Sequence, residues 1–357
     1  MLRRTGAARL PADAPPGNAL VMPAAPSLGW RRGARAVLGR VALVIASVVA
    51  TAFALEAVLR VAVPQWRGLV PQQFMTATDG GVLAGVPNFD GRIASLFGDF
   101  DVPLRFDARG FRNPPDADPA APLAFIGDSF CQGWGVTREQ SFPALVAQRL
   151  GVPFYNYCTV GADLADELNI LRTWLPPRQG DTTVLTVTFE NDVLAYPDSA
   201  GEQGPTASVQ GLSRSGASRW LMNHSALFDV TTTLARQSPT VVALVHRLGL
   251  VSGVPVVAAD GTDPIAASVR MIERIQRTAG NGPFVVLLVP PRPGQVDLVD
   301  YDAFVAALVA AGFDVIDPRA QPGLRLSTIP HDGHWDAATH AAVAPLVADR
   351  LRAAGAR

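Results

Sequence analysis

The chain has 357 residues and a formal net charge of −1, so no global basic field recruits nucleic acid or another polyanion. All 30 basic residues are arginine, and the absence of lysine argues against Walker-type phosphoryl transfer, kinase chemistry and Schiff-base catalysis. There are two cysteines and no C-x-x-C, which argues against a cysteine-based zinc site, and the length predicts one large domain or two small ones plus extras.

Residues 1–35 are rich in Ala, Pro, Gly and Arg, lack apolar periodicity and read as a disordered cytoplasmic tail. A transmembrane signal-anchor helix is predicted over 36–63, centred on VALVIASVVATAFALEAVL (41–59). As a helix those residues span about 28 Å, close to one hydrocarbon core. Their only charge is Glu56. Arg31, Arg32, Arg35 and Arg40 precede the stretch and only Arg60 and Arg67 follow it closely, an asymmetry that places the N-terminus in the cytoplasm and the rest outside. Ala52-Phe53-Ala54 resembles a signal-peptide cleavage site, so a cleaved leader is the competing reading. Both readings send the bulk of the chain across an inner membrane to the periplasmic, extracytoplasmic side.

Residues 64–121, with FDARGF (106–111), read as an irregular or short-stranded lead-in. From 122 the pattern alternates. Strands are predicted at PLAFIG (122–127), VPFYN (152–156), TTVLTVTF (182–189), FVVLLVP (284–290) and FDVID (313–317). Helices are predicted at 141–150, 162–175, 264–279, 297–312 and 338–353, the last interrupted by Pro345. Alternation of this kind implies an α/β fold: a three-layer, doubly wound, mostly parallel five-stranded sheet covered on both faces, here over 122–355 and preceded by one transmembrane helix. Residues 193–263 break the rhythm and read as an insertion beside the strand ends, a candidate substrate-facing cap.

Ligand sites in such sheets gather at the carboxyl ends of strands. Ser129 follows the first strand in FIGDSFCQGWGV (125–136). Gly161 follows the second in NYCTVGAD (156–163), and Asn191 follows the third in TFENDV (188–193). HDGHWD (331–336) precedes the last helix. This ordered set resembles the four blocks of the SGNH (GDSL-type) hydrolase superfamily, over about residues 100–355, and an anchor leading into such a domain resembles a common bacterial arrangement. The resemblance implies a flavodoxin-like fold, Ser129 as nucleophile, His334 as base and Asp332 as its orienting acid. It implies an oxyanion hole from the backbone N–H groups of Ser129 and Gly161 and the Asn191 amide.

The chemistry suits these residue types. A serine hydroxyl needs a base to take its proton as it attacks, imidazole ordinarily titrates at about 6.5, and a carboxylate fixes its tautomer. Asp332 and His334 are i and i+2, so an extended loop would point both to one side. The sequence departs from the family in places: Phe130 replaces the usual Leu, Phe189 stands two residues before Asn191 where Gly is usual, and Glu190 precedes it. His331 stands where an Asp three residues before the histidine is commoner, and the shorter Asp-x-His spacing resembles the SGNH domains of alginate-type polysaccharide O-acetyltransferases.

Asp128 reads as a structural turn acid and Asp336 as a cap of the final helix. His331, His334 and His340 with Asp332 and Asp336 could suggest a metal site, but the ordered set accounts for His334 without one, and no metal or cofactor is expected. His224 and His246 read as ordinary residues of the insertion. Cys131 and Cys158 follow neighbouring strands in an oxidising compartment, which leaves two readings open, a disulfide beside the site or two buried free thiols. The resulting expectation is a membrane-anchored serine esterase acting on acyl, above all acetyl, groups of a cell-envelope carbohydrate or lipid. The alternatives are an O-acyltransferase, which would need an acyl-donor membrane partner, and a catalytically silent binding or scaffold protein.

Overall fold

In the computed structural model of the chain, the described residues are 28–62, 74–78, 82–95, 97–175, 180–201, 220–221, 224–237, 241, 261–292 and 299–355. Helix α1 runs Leu28–Ala62. It therefore begins inside the stretch expected as tail, whose residues 1–27 lie outside the described residues. Within it, Val37–Ala62 is 26 residues long with a mean hydropathy of 2.3. That is about 39 Å of helix, enough to cross a hydrocarbon core of about 30 Å.

The lead-in is more ordered than its sequence suggests. It forms two antiparallel hairpins, β1 (Met75–Ala77) with β2 (Leu83–Gly85) and β3 (Asp90–Ala94) with β4 (Asp101–Arg105). Phe74, Ile93, Leu104 and Phe106 give them an apolar core of their own, against which Phe100, Trp134 and Val160 pack.

Five strands then form one sheet: β5 (Leu123–Ile126), β6 (Phe154–Asn156), β7 (Thr182–Thr188), β8 (Phe284–Val289) and β9 (Asp314–Ile316). Every pairing is parallel and the order is β6-β5-β7-β8-β9. This is the flavodoxin-like 2-1-3-4-5 winding, whose switch point lies between β5 and β7. β5, β7 and β8 are buried at every position. That is why they read as continuous apolar or β-branched runs rather than as alternating ones.

Between β5 and β7 lie α2 (Ser129–Gln132), α3 (Phe142–Leu150) and α4 (Leu164–Trp174), and α5 (Phe189–Asp192) follows β7 directly. Beyond it come α6 (Ala226–Gln237), α7 (Pro264–Ala279), α8 (Tyr301–Ala310) and α9 (Ala337–Ala353). One face of the sheet packs Leu168, Ile272 and Phe304 from α4, α7 and α8; the other packs Val146, Val343 and Val347 from α3 and α9. Aspartate caps set several helix starts: Asp163 accepts from Ala165 and Asp166 amides, Asp263 from Ile265, Asp300 from Asp302 and Ala303, and Asp336 from Thr339. Pro345 does not interrupt α9, which continues through it to Ala353.

The insertion also starts later than expected. Val193, Leu194 and Tyr196 are buried in the core, and the Tyr196 hydroxyl accepts from the Leu164 amide. Most of the expected cap, 202–219, 222–223, 238–240 and 242–260, lies outside the described residues, as does His246.

Candidate functional site

The site is built where β5 and β7 end. Behind Ile126 the chain turns through Gly127, where a Cβ would stand 2.8 Å from the Cβ atoms of both Cys131 and Thr186, so only glycine fits. Asp128 caps the one-turn helix α2, its Oδ1 accepting from the Phe130 amide at 2.9 Å. The cap turns Ser129 towards the C-terminal loop, and its Oγ lies 2.7 Å from His334 Nε2. On the other side of the ring His334 Nδ1 donates to Asp332 Oδ1, which also accepts from the His334 amide at 3.2 Å.

The Asp332–His334 contact arises differently from the extended loop expected of it. The Asp332 and Gly333 amides both bond to Ile329 O, so the segment is a turn, and Gly333 at its centre has φ 89°. A Cβ there would meet the Arg292 guanidinium at 2.6 Å. Arg292 is itself fixed, with Nε and Nη2 donating to the Glu190 carboxylate at 3.1 and 2.7 Å. Glu190 thus ties the segment after β8 to α5, one residue before Asn191.

Asp332 has a second partner, which no local pattern in the sequence signals. Trp134 Nε1 donates to its Oδ2 at 3.0 Å, so both carboxylate oxygens are held. Burial pushes the Asp332 carboxyl upward, but the bonds from His334 and Trp134 outweigh it and leave the group below the usual carboxylate range. The Phe130 ring stands 4.8 Å from the imidazole of His334 and the Trp134 ring 6.0 Å.

Trp134 is placed by a buried cation. Arg112 is 2% exposed, and its guanidinium donates to the carbonyls of Gln132, Gly133 and Val136 around Trp134 and to Pro103 of β4. Burial lowers its pKa to about 10. Five residues earlier, Asp107 in FDARGF accepts from the amides of Arg109 and Phe111, from Asn113 Nδ2 and from the Tyr155 hydroxyl. The lead-in is therefore stitched to the loop that carries the serine.

Asn191 sits on α5 and donates from Nδ2 to Asp128 Oδ2 at 3.0 Å. A carboxamide has two N–H groups, so one is committed to Asp128. Gly161 lies on the exposed turn after β6 with φ 75°, and nothing stands within 4 Å of where its Cβ would be. Cys131 of α2 and Cys158 after β6 are joined in a disulfide with a Cα–Cα distance of 5.6 Å. That bond and the Thr159 amide on Gly127 O, 3.0 Å, link the serine turn to the Gly161 turn.

The three C-terminal histidines face different partners. His334 faces Ser129. His331 donates from Nδ1 to Asp99 at 3.0 Å. His340 is buried in α9 and accepts from the Phe142 amide at 3.1 Å, and burial pushes its pKa down to about 3. Among the described residues no group of three or more His, Cys, Asp or Glu side chains is arranged to hold a metal ion.

Four fully buried carboxyl groups lie behind the serine: Asp128, Asp166, Glu167 and Asp192. Both oxygens of Glu167 lack a hydrogen-bond partner among the described residues. Burial, with the charge of its acidic neighbours added, raises Glu167 and Asp192 well above the carboxylate range.

No family model and no curated protein matches the chain. Among solved structures it is similar to a carbohydrate esterase family 2 enzyme with a carbohydrate-binding domain from Corynascus thermopiles (Myceliophthora fergusii), at 16% identity, 69% of each chain covered and a TM-score of 0.36. It is also similar to a lipolytic protein of the G-D-S-L family from Desulfitobacterium hafniense, at 10% identity over 64% of this chain and 97% of that one, TM-score 0.33. A family two carbohydrate esterase from Clostridium thermocellum, in complex with cellohexaose, matches at 12% identity over 70% of this chain and 67% of that one, TM-score 0.31.

Proposed function

We propose that this chain is a serine esterase of the SGNH type, anchored in the inner membrane by α1 with its α/β domain outside the cytoplasm. It removes acyl groups, above all acetyl, from a cell-envelope carbohydrate or lipid. The observation that carries the reading is the unbroken run of hydrogen bonds from Ser129 Oγ through the His334 ring to Asp332. The arginine asymmetry about the 26-residue apolar stretch of α1 supports the orientation.

Ser129 Oγ attacks the ester carbonyl carbon while its proton passes to His334 Nε2, and Asp332 stabilises the imidazolium that forms. The carbonyl oxygen becomes an oxyanion facing the Ser129 and Gly161 amides and the second N–H of Asn191. The intermediate collapses, the C–O bond to the alcohol breaks, and His334 returns its proton to the leaving oxygen. Water then attacks the acyl-serine with His334 again taking its proton, the bond from the acyl carbon to Ser129 Oγ breaks, and His334 returns the proton to Oγ as the carboxylic acid leaves. A second reading rests on the same acyl-enzyme and on the Asp332–Gly333–His334 spacing: an O-acyltransferase in which a sugar hydroxyl replaces the water.

The test is p-nitrophenyl acetate hydrolysis by the full chain in detergent, for wild type and Ser129→Ala, with and without an oligosaccharide acceptor. The esterase reading expects release that the variant loses. Acetylated acceptor in the wild type would favour the transferase. Equal rates in both proteins would sink the serine mechanism and leave a silent fold.

A further inference from the structure

We propose that Phe97 and His331 form an open platform that stacks one pyranose ring of the substrate's alcohol part; this rests on the esterase reading and narrows its substrate class from carbohydrate or lipid to carbohydrate. Phe97 sits at the tip of the β3–β4 hairpin and is 40% exposed, among the few large apolar side chains outside α1 left so open among the described residues. Its ring lies 4.8 Å from that of His331, inclined by 31°. His331 is 53% exposed at its side chain and belongs to the turn that carries Asp332 and His334, three residues before the base.

The pair is held from beneath. Asp99, its side chain only 8% exposed, accepts from His331 Nδ1 at 3.0 Å and from the Ser95 hydroxyl at 2.8 Å. The hairpin tip closes with Gly98 N on Ser95 O and Ser95 N on Phe100 O, and the Phe97 amide bonds to Ser95 Oγ. The rings are therefore ordered before any ligand arrives, which lowers the cost of binding. Nearer the base, Phe130 and Trp134, both part-exposed, stand 4.8 and 6.0 Å from the His334 ring.

A sugar fits this surface better than an acyl chain. One face of a pyranose presents aliphatic C–H groups that pack on an aromatic ring, while its rim of hydroxyls needs polar neighbours. Here the Phe97 ring is open to water and has the half-exposed His331 imidazole beside it as a polar neighbour. An acyl chain needs a concave apolar slot instead. The ester oxygen on such a sugar would be delivered towards Ser129 along the His331–His334 turn.

The test uses the full chain in detergent with three esters: p-nitrophenyl acetate, p-nitrophenyl palmitate and a partially O-acetylated cello-oligosaccharide. Phe97→Ala should lower kcat/KM on the oligosaccharide about tenfold, the worth of one stacked ring, mainly through KM. It should leave both nitrophenyl esters unchanged, and Phe97→Trp should restore the oligosaccharide rate. An unchanged oligosaccharide rate, or an equal loss on all three esters, overturns the platform; a loss greatest on palmitate overturns the carbohydrate assignment in favour of lipid. Binding separates this claim from the catalytic one. In the Ser129→Ala background, oligosaccharide affinity by calorimetry should fall about tenfold on adding Phe97→Ala, whether or not the serine is a nucleophile, and equal affinities would refute the platform.

Discussion

Trp134 Nε1 donates to Asp332 Oδ2 at 3.0 Å, across 198 residues of sequence. The bond leaves the carboxylate no freedom to rotate away from His334, because its other oxygen is already on the imidazole. Trp134→Phe keeps a ring but removes the donor. A hydrogen bond to a charged group is worth about 1.5–3 kcal/mol. The expected result is a kcat on p-nitrophenyl acetate lower by about 10–100-fold with KM little changed, in a protein whose circular dichroism matches wild type. An unaltered kcat would show that His334 alone positions Asp332.

Asp128 and Asn191 form a second testable pair, joined at 3.0 Å behind the serine. If Asp128 aims the Asn191 amide at the oxyanion, Asp128→Asn sets two carboxamides against each other and disorients the donor. Loss of one oxyanion donor typically costs about 10²–10³ in kcat. Asp128→Asn and Asn191→Ala should each show a loss of that size, and the double variant should be little worse than Asn191→Ala, as expected for residues acting as a unit. Additive losses in steady-state kinetics would mean that the two act separately.

The elements that sequence made legible are those whose signal is local. β7 and β8 are uninterrupted buried runs, α7 starts at Pro264 behind the Asp263 cap, and Asp336 caps α9 as its place before the helix suggests. Ser129 and the Asp332–His334 pair are also local, each within a few residues of a glycine turn, and the order of blocks joined them. What was not legible depends on distance along the chain. Trp134 meets Asp332, Asp99 meets His331 232 residues away, and Arg112 collects carbonyls 20 to 24 residues further on. No periodicity records such contacts. The lead-in reads only as irregular or short-stranded, without its hairpin pairing, because strands of three to five residues, mixed with Gly, Pro and Asp, carry too little alternation.

The Cys131–Cys158 bond closes a loop of 27 residues around the serine turn. Loop-closure entropy for that length amounts to about 3–4 kcal/mol. The Cys131→Ala, Cys158→Ala double variant should lose about that much stability in guanidinium unfolding under oxidising conditions, and wild type with excess reductant should move to meet it. Coincident unfolding curves for variant and wild type would remove the bond from any stabilising role.

Glu167 gives the pH prediction its sign. The residue is fully buried on α4, faces the charges of Asp128, Asp163 and Asp166, and in turn bears on Asp192 and Tyr196. Burial first, and those acids second, raise its pKa well above the ordinary carboxyl value. Above about pH 4.3, where an unfolded glutamate ionises, the folded state therefore holds a proton that the unfolded state has released. Stability from this group is full below that pH and falls as pH rises towards the raised folded value. Glu167→Gln cannot ionise and escapes the loss. Its Tm should lie close to wild type at pH 4 and rise progressively above it at pH 6 and pH 8, because the wild type alone is being destabilised. A Tm difference that stays flat across those three melts would mean that Glu167 is ionised in the folded state, with its charge compensated.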